Sequence, residues 1–509
     1  METTGQRQAI TPAVLTVAIA AVCWYLVLFV NPANIGNPVA FGLLLFAELI
    51  GMIQLVGACV TIIIGASAIP RYDVLASKKA LERNPKLAGA VAVFVPVCGE
   101  PIELITETFI AARDIAFPHT TYVLDDGKSD DVQALASRLG IGYLRRPDRA
   151  GWKAGNINYA LQNIDSEFFA IFDCDHVAKP EFLLETLPWL LADRDLAFVQ
   201  TPQYLVNRDS FVSGGIAETQ EVFYNHIQPG KNRFNAAFCV GTNVLFRTAA
   251  LTEIGGMYDQ SLSEDIWTSV LLHEAGWKSI YLPTILAYGQ APDTVENFLR
   301  QQFRWASGAY ELLFRKNPLL IRAFTLDQKL QYLHTVLFFL SGYSVGIFYV
   351  LPLLYVYIGW RGMDVAGGVT TWAVHFVPYF AMMLFSTAHL LGRWPRWRTY
   401  VVAMGAFSAH MAASLTVLTG IRFQWTATGV VRSNIDVIRP VMLHLLLLFL
   451  SLAAIPVLLM TERDASMSAL TSVWLFFNSA LLFSLCSRTL LSKRERASVV
   501  PAYGYAATA

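Results

Sequence analysis

Two aspartates and a histidine, Asp173, Asp175 and His176, follow directly on an apolar run in the stretch E-F-F-A-I-F-D-C-D-H at 167–176. The run reads as a buried strand, so these three side chains stand where the strand leaves the core. Carboxylates and an imidazole are ligands for a divalent cation, and hard carboxylates favour Mg2+ or Mn2+. A metal there suits a diphosphate leaving group, because it neutralises charge as the bond breaks. The competing reading is an acidic surface turn, and D-x-D alone does not separate the two.

Four further clusters carry chemistry. Asp125-Asp126-Gly127 closes another apolar run; an acid there can accept hydrogen bonds from a base or ribose, although D-D-G is also an ordinary turn. In W-K-A-G-N at 152–156, Lys153 is a point charge for a diphosphate and Gly155 permits close backbone approach; the plain alternative is a surface loop. Ser263-Glu264-Asp265 follows the Gly255-Gly256 turn and opens an apolar, helical run. Ser263 can cap that helix, and Asp265 can act as a general base on an attacking alcohol; the two roles are compatible. In Q-Q-F-R-W at 301–305, Arg304 suits phosphate oxygens and Trp305 offers a flat face for a sugar ring. On a purely structural helix, Trp305 would be core packing and Arg304 a surface ion pair.

The elements that position these groups read as α/β. Residues 90–97, 121–124, 168–172 and 196–200 are candidate strands, with candidate helices at 103–115 and 132–139. Strands alternating with helices imply a mostly parallel sheet, whose ligands bind beyond the carboxyl ends of its strands. Gly99-Glu100, Asp125-Asp126 and Asp173–His176 all fall at such ends.

The 509 residues are 55% apolar, 15% charged and formally neutral. That is a membrane protein with a soluble part, and zero net charge argues against a nucleic-acid partner. Six scattered cysteines without a C-x-x-C pair indicate neither a zinc site nor a disulfide framework. Residues 13–30 and 41–64 are long enough to span a bilayer, and the first reads as an uncleaved anchor. Glu48 is expected near the membrane edge, lining a polar path being the sharper alternative. Spans return at 342–360, 371–391, 441–460 and 466–486, after an amphipathic stretch at 329–340. G-R-W-P-R-W-R at 392–398 reads as a basic, aromatic interfacial cluster. If 401–420 stays out of the bilayer, six crossings place the soluble domain, that cluster, residues 422–439 and the basic tail on one cytoplasmic face. About six crossings are therefore expected, with 401–420 interfacial. The expected divisions are 1–70 (two transmembrane helices), 71–325 (soluble domain), 326–496 (interfacial and four transmembrane helices) and 497–509 (tail).

Together these pieces resemble the processive family 2 glycosyltransferases, in particular the bacterial cellulose synthase catalytic subunits and related β-glucan synthases. The matching motifs keep the family's order: V-P-V-C-G-E-P at 95–101, D-D-G, K-A-G-N at 153–156, D-C-D-H, Q-T-P at 200–202, F-C-V-G-T at 238–242, E-D at 264–265, and Q-x-x-R-W. The resemblance implies a GT-A catalytic domain and an inverting transfer from a UDP-sugar. It places Pro96, Glu100, Asp126, Lys153, Asp173, Gln301 and Arg304 on the UDP-sugar, and Asp173, Asp175 and His176 on the metal. Asp265 matches the base, with Glu264 beside it. Trp305, Gln200, Thr201, Pro202, Cys239 and Gly241 fall on the acceptor side. F-Q-W-T-A-T-G at 423–429 looks like a gating loop, with Phe423, Trp425, Thr426, Thr428 and Gly429 in its motif. Three departures stand out: Ser263 replaces the threonine of T-E-D, Gln203 the histidine of Q-T-P-H, and Thr428 the gating lysine. The tail is too short for the cyclic-di-GMP-binding barrel of bacterial cellulose synthases, so that control is not expected within this chain.

The resemblance implies a plasma (inner) membrane, multi-pass synthase with a cytoplasmic catalytic domain. It would polymerise a β-linked glucan from UDP-glucose, whether cellulose, mixed-linkage or β-1,3-glucan, and move it across the bilayer. Its partners are a nucleotide sugar, the growing polysaccharide and the lipid bilayer; an accessory export subunit is left open. The alternatives are a chitin- or hyaluronan-like synthase using another UDP-sugar, and a single-addition transferase on a lipid-linked acceptor. A transporter without chemistry fits the acid clusters poorly.

Overall fold

V-A-V-F-V-P-V forms the strand β1 (Val91–Val97), almost wholly buried, as β-branched and aromatic runs are when both sheet faces are covered. The computed structural model describes residues 4–65, 73–420, 439–461 and 464–495. Around β1 lie β2 (Thr120–Asp125), β3 (Gly142–Leu144), β4 (Phe168–Ile171), β6 (Leu196–Gln200), β8 (Val244–Arg247) and β9 (Lys278–Tyr281) in the order β3-β2-β1-β4-β8-β6-β9. All neighbours run parallel except β8, which is antiparallel to both β4 and β6. Val97 pairs with Asp125 and Phe94 with Ile171, so the three expected polar clusters leave the sheet at one edge. The sequence reading had four of these strands within a residue or two; β3, β8 and β9 are additions. A second sheet, β5-β10-β7, joins β5 (Val177–Ala178), β10 (Ala287–Gly289) and β7 (Tyr204–Leu205).

Helices cover both faces of the large sheet. On one, Ile105 and Phe109, Val132 and Leu135, and Phe182 and Leu187 pack against β1 and β4. On the other, Ile157 and Ala160, Leu251 and Leu272 pack on Phe94 and Phe169.

Among the described residues, seven helices are long and apolar enough to cross a membrane: the six expected and Trp397–Thr419. The seventh breaks into Trp397–Gly405 and Phe407–Thr419. Its first half lies on the catalytic-domain helix Phe211–Val222, where a Cβ on Gly215 would fall 2.6 Å from Val402. Its second half packs on the Val295–Arg315 helix through Ala306, Tyr310 and Ala413. This stretch therefore joins the catalytic domain to the apolar helices, and by length and composition it counts as a seventh candidate span beside the six expected.

Glu48 does not lie at the helix edge. It sits roughly 15 Å along the Pro38–Gly65 helix at 1.5 Å per residue, is 7% exposed, and accepts a 3.0 Å hydrogen bond from the Tyr25 hydroxyl. The 392–398 cluster is not a free basic patch either. Arg393 binds Glu221 at 2.7 Å and Arg398 binds Glu218 at 2.8 Å, both on the Phe211–Val222 helix, and Thr399 donates to Glu218.

Candidate active site

The carboxyl ends of β1, β2 and β4 open into a cavity of about 1870 Å3 that continues between the apolar helices Phe407–Thr419 and Met442–Met460, where Ser408, Ala412 and Leu443 line it. Asp173 comes first after β4. Its N–H donates to Thr242 Oγ1 at 2.9 Å, and its carboxylate pairs with the Lys153 ammonium. Lys153 stands in the first turn of the Trp152–Asn163 helix and also donates to the Gly241 carbonyl at 2.7 Å. Burial raises the Asp173 pKa and lowers that of Lys153, but each outweighs the loss for the other: Asp173 ends below and Lys153 above its ordinary value. Asp175 Oδ1 lies 2.9 Å from His176 Nδ1. Burial opposes charge on His176, and the Asp175 carboxylate overcomes it, so the imidazole is held above its usual pKa.

Candidate ligand atoms of Asp173, Asp175 and His176 all lie within 4.8 Å of one another. The buried Nε2 of His176 has no hydrogen-bond partner, and its ring seats against Gly289, where any Cβ would collide with it. Two carboxylates and an imidazole whose ligand atoms come this close fit a divalent cation.

Asp265 is in the first turn of the Glu264–Glu274 helix. Its Oδ1 accepts the Ile266 N–H at 2.8 Å. Burial, and then the neighbouring Glu264 carboxylate, push its carboxyl up to about 7. Ser263 does not cap this helix: its hydroxyl donates instead to the Arg304 carbonyl at 3.0 Å. That bond ties the Asp265 turn to the helix carrying Q-x-x-R-W. Gly241, at φ +86°, lies between the groups; a Cβ there would be 3.5 Å from Asp265 Oδ2 and 3.7 Å from Lys153 Nζ.

Of the expected residues, Pro96, Glu100, Asp126, Lys153, Asp173, Asp175, His176, Gly241, Glu264, Asp265, Gln301, Arg304 and Trp305 line this cavity. Burial raises the Glu100 pKa even though its Oε2 accepts the Cys98 N–H at 2.6 Å. Gln200, Thr201, Pro202 and Cys239 lie behind the wall. Gln200 and Thr201 are fully buried; the Gln200 amide accepts the Val240 N–H at 2.9 Å and donates to the Thr242 carbonyl at 2.8 Å. It thus holds the loop that bears Gly241. Cys239, also fully buried, accepts the Gly241 N–H on its sulfur at 3.3 Å, and burial pushes its thiol well up. Gln203 does line the cavity. The gating-like residues Phe423 to Gly429 lie outside the described residues.

Two acids of the D-D-G turn divide their work. Asp125 accepts from Lys128 N–H, Ser129 N–H and the Tyr143 hydroxyl, which fixes the turn. Asp126 makes a buried, two-pronged pair with Arg146 at 2.6 and 2.7 Å. Arg146, absent from the sequence reading, also donates to the Ala150 and Trp152 carbonyls, so it ties the turn to the loop that presents Lys153. Gly155 serves that same loop, since a Cβ would fall 2.7 Å from Arg146 Nη1 and collide with the Ala150 carbonyl.

A family described as Glycosyl transferase family group 2 matches residues 168–485, and the chain belongs to it. It is 36% identical over 270 residues to a cellulose synthase catalytic subunit [UDP-forming] of Xanthomonas axonopodis pv. citri, covering 52% of this chain and 37% of that protein. To the cellulose synthase 1 catalytic subunit [UDP-forming] of Komagataeibacter xylinus it is 30% identical over 322 residues, 62% of this chain and 43% of the relative. The chain thus spans less than half the length of these curated relatives. Among solved structures, a mannosyltransferase from Pyrobaculum calidifontis in complex with GDP-Man and Mn2+ superposes with a TM-score of 0.51 at 15% identity, covering 75% of this chain and all of that one. That likeness fixes the GT-A fold of the catalytic domain.

Proposed function

We propose that this chain is a membrane-embedded, processive, inverting glycosyltransferase that builds a β-linked glucan from UDP-glucose and passes it across the bilayer. The observation that carries the reading is one continuous cavity, with Asp173, Asp175 and Asp265 at its base and Trp305, Ala412 and Leu443 toward the apolar helices. The similarity to cellulose synthase catalytic subunits supports the donor and the β-linked product.

Each residue then has a task. Asp265 accepts the proton of the acceptor hydroxyl as it attacks the anomeric carbon; burial and Glu264 tune it for that work near neutral pH. Lys153, with Arg304 lining the same cavity, meets the negative charge of the diphosphate. Asp173, Asp175 and His176 would hold Mg2+ or Mn2+, which when bound offsets charge on the departing UDP. Trp305 offers a ring face for the acceptor sugar. The catalytic domain, 71–325, then lies on the cytoplasmic side of the plasma membrane, where nucleotide sugars are made.

The test uses membranes holding the purified chain, Mg2+ or Mn2+, and radiolabelled UDP-glucose. Long labelled product cut by one class of linkage-specific glucanase is expected. Release of single-sugar adducts would establish a single-addition transferase instead, and turnover of a different UDP-sugar would remove the glucan.

A further inference from the structure

One aromatic side chain on the cavity wall has no task in the mechanism above. Trp152 lines the cavity and is 44% exposed. Backbone and Cβ are a small part of a tryptophan's surface, so exposure on that scale is mostly bare indole. The residue also stands in the left-handed region, at φ +49°, directly after Gly151 at φ +68°. Glycine adopts that conformation freely, whereas a bulky residue is strained in it. A tryptophan held where a glycine would be relaxed points to a use for its side chain.

The bonds of this loop fix the end of the cavity that the indole occupies. Arg146 donates to the Trp152 carbonyl at 2.8 Å while it grips Asp126 at 2.6 and 2.7 Å, so Trp152 stands beside the D-D-G turn. Gly151 seats the loop from behind, since a Cβ there would be 2.7 Å from Asp259 Cβ. Cys98, just past the end of β1, lines the cavity with Arg149 and Trp152. Burial raises the Cys98 thiol, and the charges of Arg149 and Asp126 act on it as well; the three therefore surround one slot. Lys153, the next residue after the indole, reaches the Asp173 carboxylate and the Gly241 carbonyl.

This arrangement sorts the two substrates. Asp265 is on the Gly241 side of Lys153, 3.5 Å from a Cβ built on Gly241, so the acceptor belongs there. A diphosphate at Lys153 has on its other side the slot bounded by Arg149, Asp126 and the indole. A flat apolar face beside polar groups suits a planar heterocycle, and base–aromatic stacking adds affinity whichever base is present. We propose that Trp152 stacks on the nucleobase of the nucleoside diphosphate and supplies much of the affinity for the donor's nucleoside. This rests on the glycosyltransferase reading above.

The test uses the full chain in membranes with Mg2+, and two probes: UDP, and pyrophosphate, which has the charge but no base. Trp152→Gly removes the indole and relieves the positive φ, so it does not put folding at risk. It is expected to weaken UDP about tenfold or more, with pyrophosphate affinity unchanged, and Trp152→Phe to recover most of the loss. In transfer assays the KM for UDP-glucose should rise with the loss of UDP affinity while kcat holds. Unchanged UDP affinity in Trp152→Gly would overturn the assignment. An equal loss for UDP and pyrophosphate would also overturn it, by making Trp152 a support for Lys153. A raised KM for UDP-glucose with UDP affinity intact would give the indole to the sugar instead of the base. If the unaltered chain binds no UDP, the functional reading itself falls, and this inference with it.

Discussion

The two halves of the cavity are built by different means. The strand-end half is made of charges held by charges: Asp173 with Lys153, Asp126 with Arg146, His176 with Asp175. Its backbone is fixed by a mostly parallel sheet buried on both faces. The membrane-side half is lined by small and apolar side chains on helices, Ser408, Ala412 and Leu443, with Arg439 beside them, while Glu218 is turned toward Arg398. Chemistry that moves charge needs preorganised charge, whereas a neutral polymer needs a path that offers stacking faces and few strong partners. Changes in the first half should therefore alter nucleotide handling and rate, and changes in the second should alter acceptor handling and the join to the membrane.

The largest expected effect is at the base. Asp265→Asn should lower transfer by roughly 10^2–10^4-fold while UDP still binds, measured by sugar incorporation beside nucleotide titration; near-normal transfer would break the division at its strongest point. Asp175→Ala should come next, weakening UDP binding in the presence of Mg2+ but not in its absence. Unchanged metal dependence would remove the metal from this half. Arg146→Leu leaves the Asp126 carboxylate buried without its partner and is expected to cost about 3–5 kcal/mol of stability, read as a lower unfolding midpoint with weaker UDP binding. Glu218→Gln should have the smallest effect. It loosens the clamp on Arg398 and Thr399 and lowers thermal stability by about 1–3 kcal/mol, with UDP affinity unchanged. A loss of UDP affinity there would show that the two halves are not separable.

The same contrast explains what the sequence made legible. Strand-end residues announce themselves, because an apolar run that stops at D-C-D-H or D-D-G marks both the element and the site. Four of the strands and the acids at their ends were read that way, whereas the GT-A fold came from the family resemblance and Lys153, Asp265 and Arg304 from their own motifs. Arg146 was missed because nothing in R-R-P-D-R shows which arginine turns inward; the bidentate partner is twenty residues away in the sequence. Q-T-P and Cys239 were read as acceptor contacts from their motifs, yet Gln200 and Cys239 fasten the Gly241 loop from behind. A motif preserves a strut as readily as a contact. Ser263 was read as a cap from its neighbours, but Arg304, far along the chain, offered its hydroxyl a carbonyl.

The account's central claim is that Asp265 removes the acceptor proton within this cavity. Its most direct test is the pH dependence of kcat/KM for sugar transfer by the full chain, with UDP affinity followed in parallel. A base pushed up to about 7 must lose its proton to act. The rate should then be level above that pH and fall about tenfold per unit well below it, while Asp265→Glu moves the bend without removing transfer. A profile flat from about pH 5 to 9, with UDP binding intact, would contradict the assignment of Asp265 as the base.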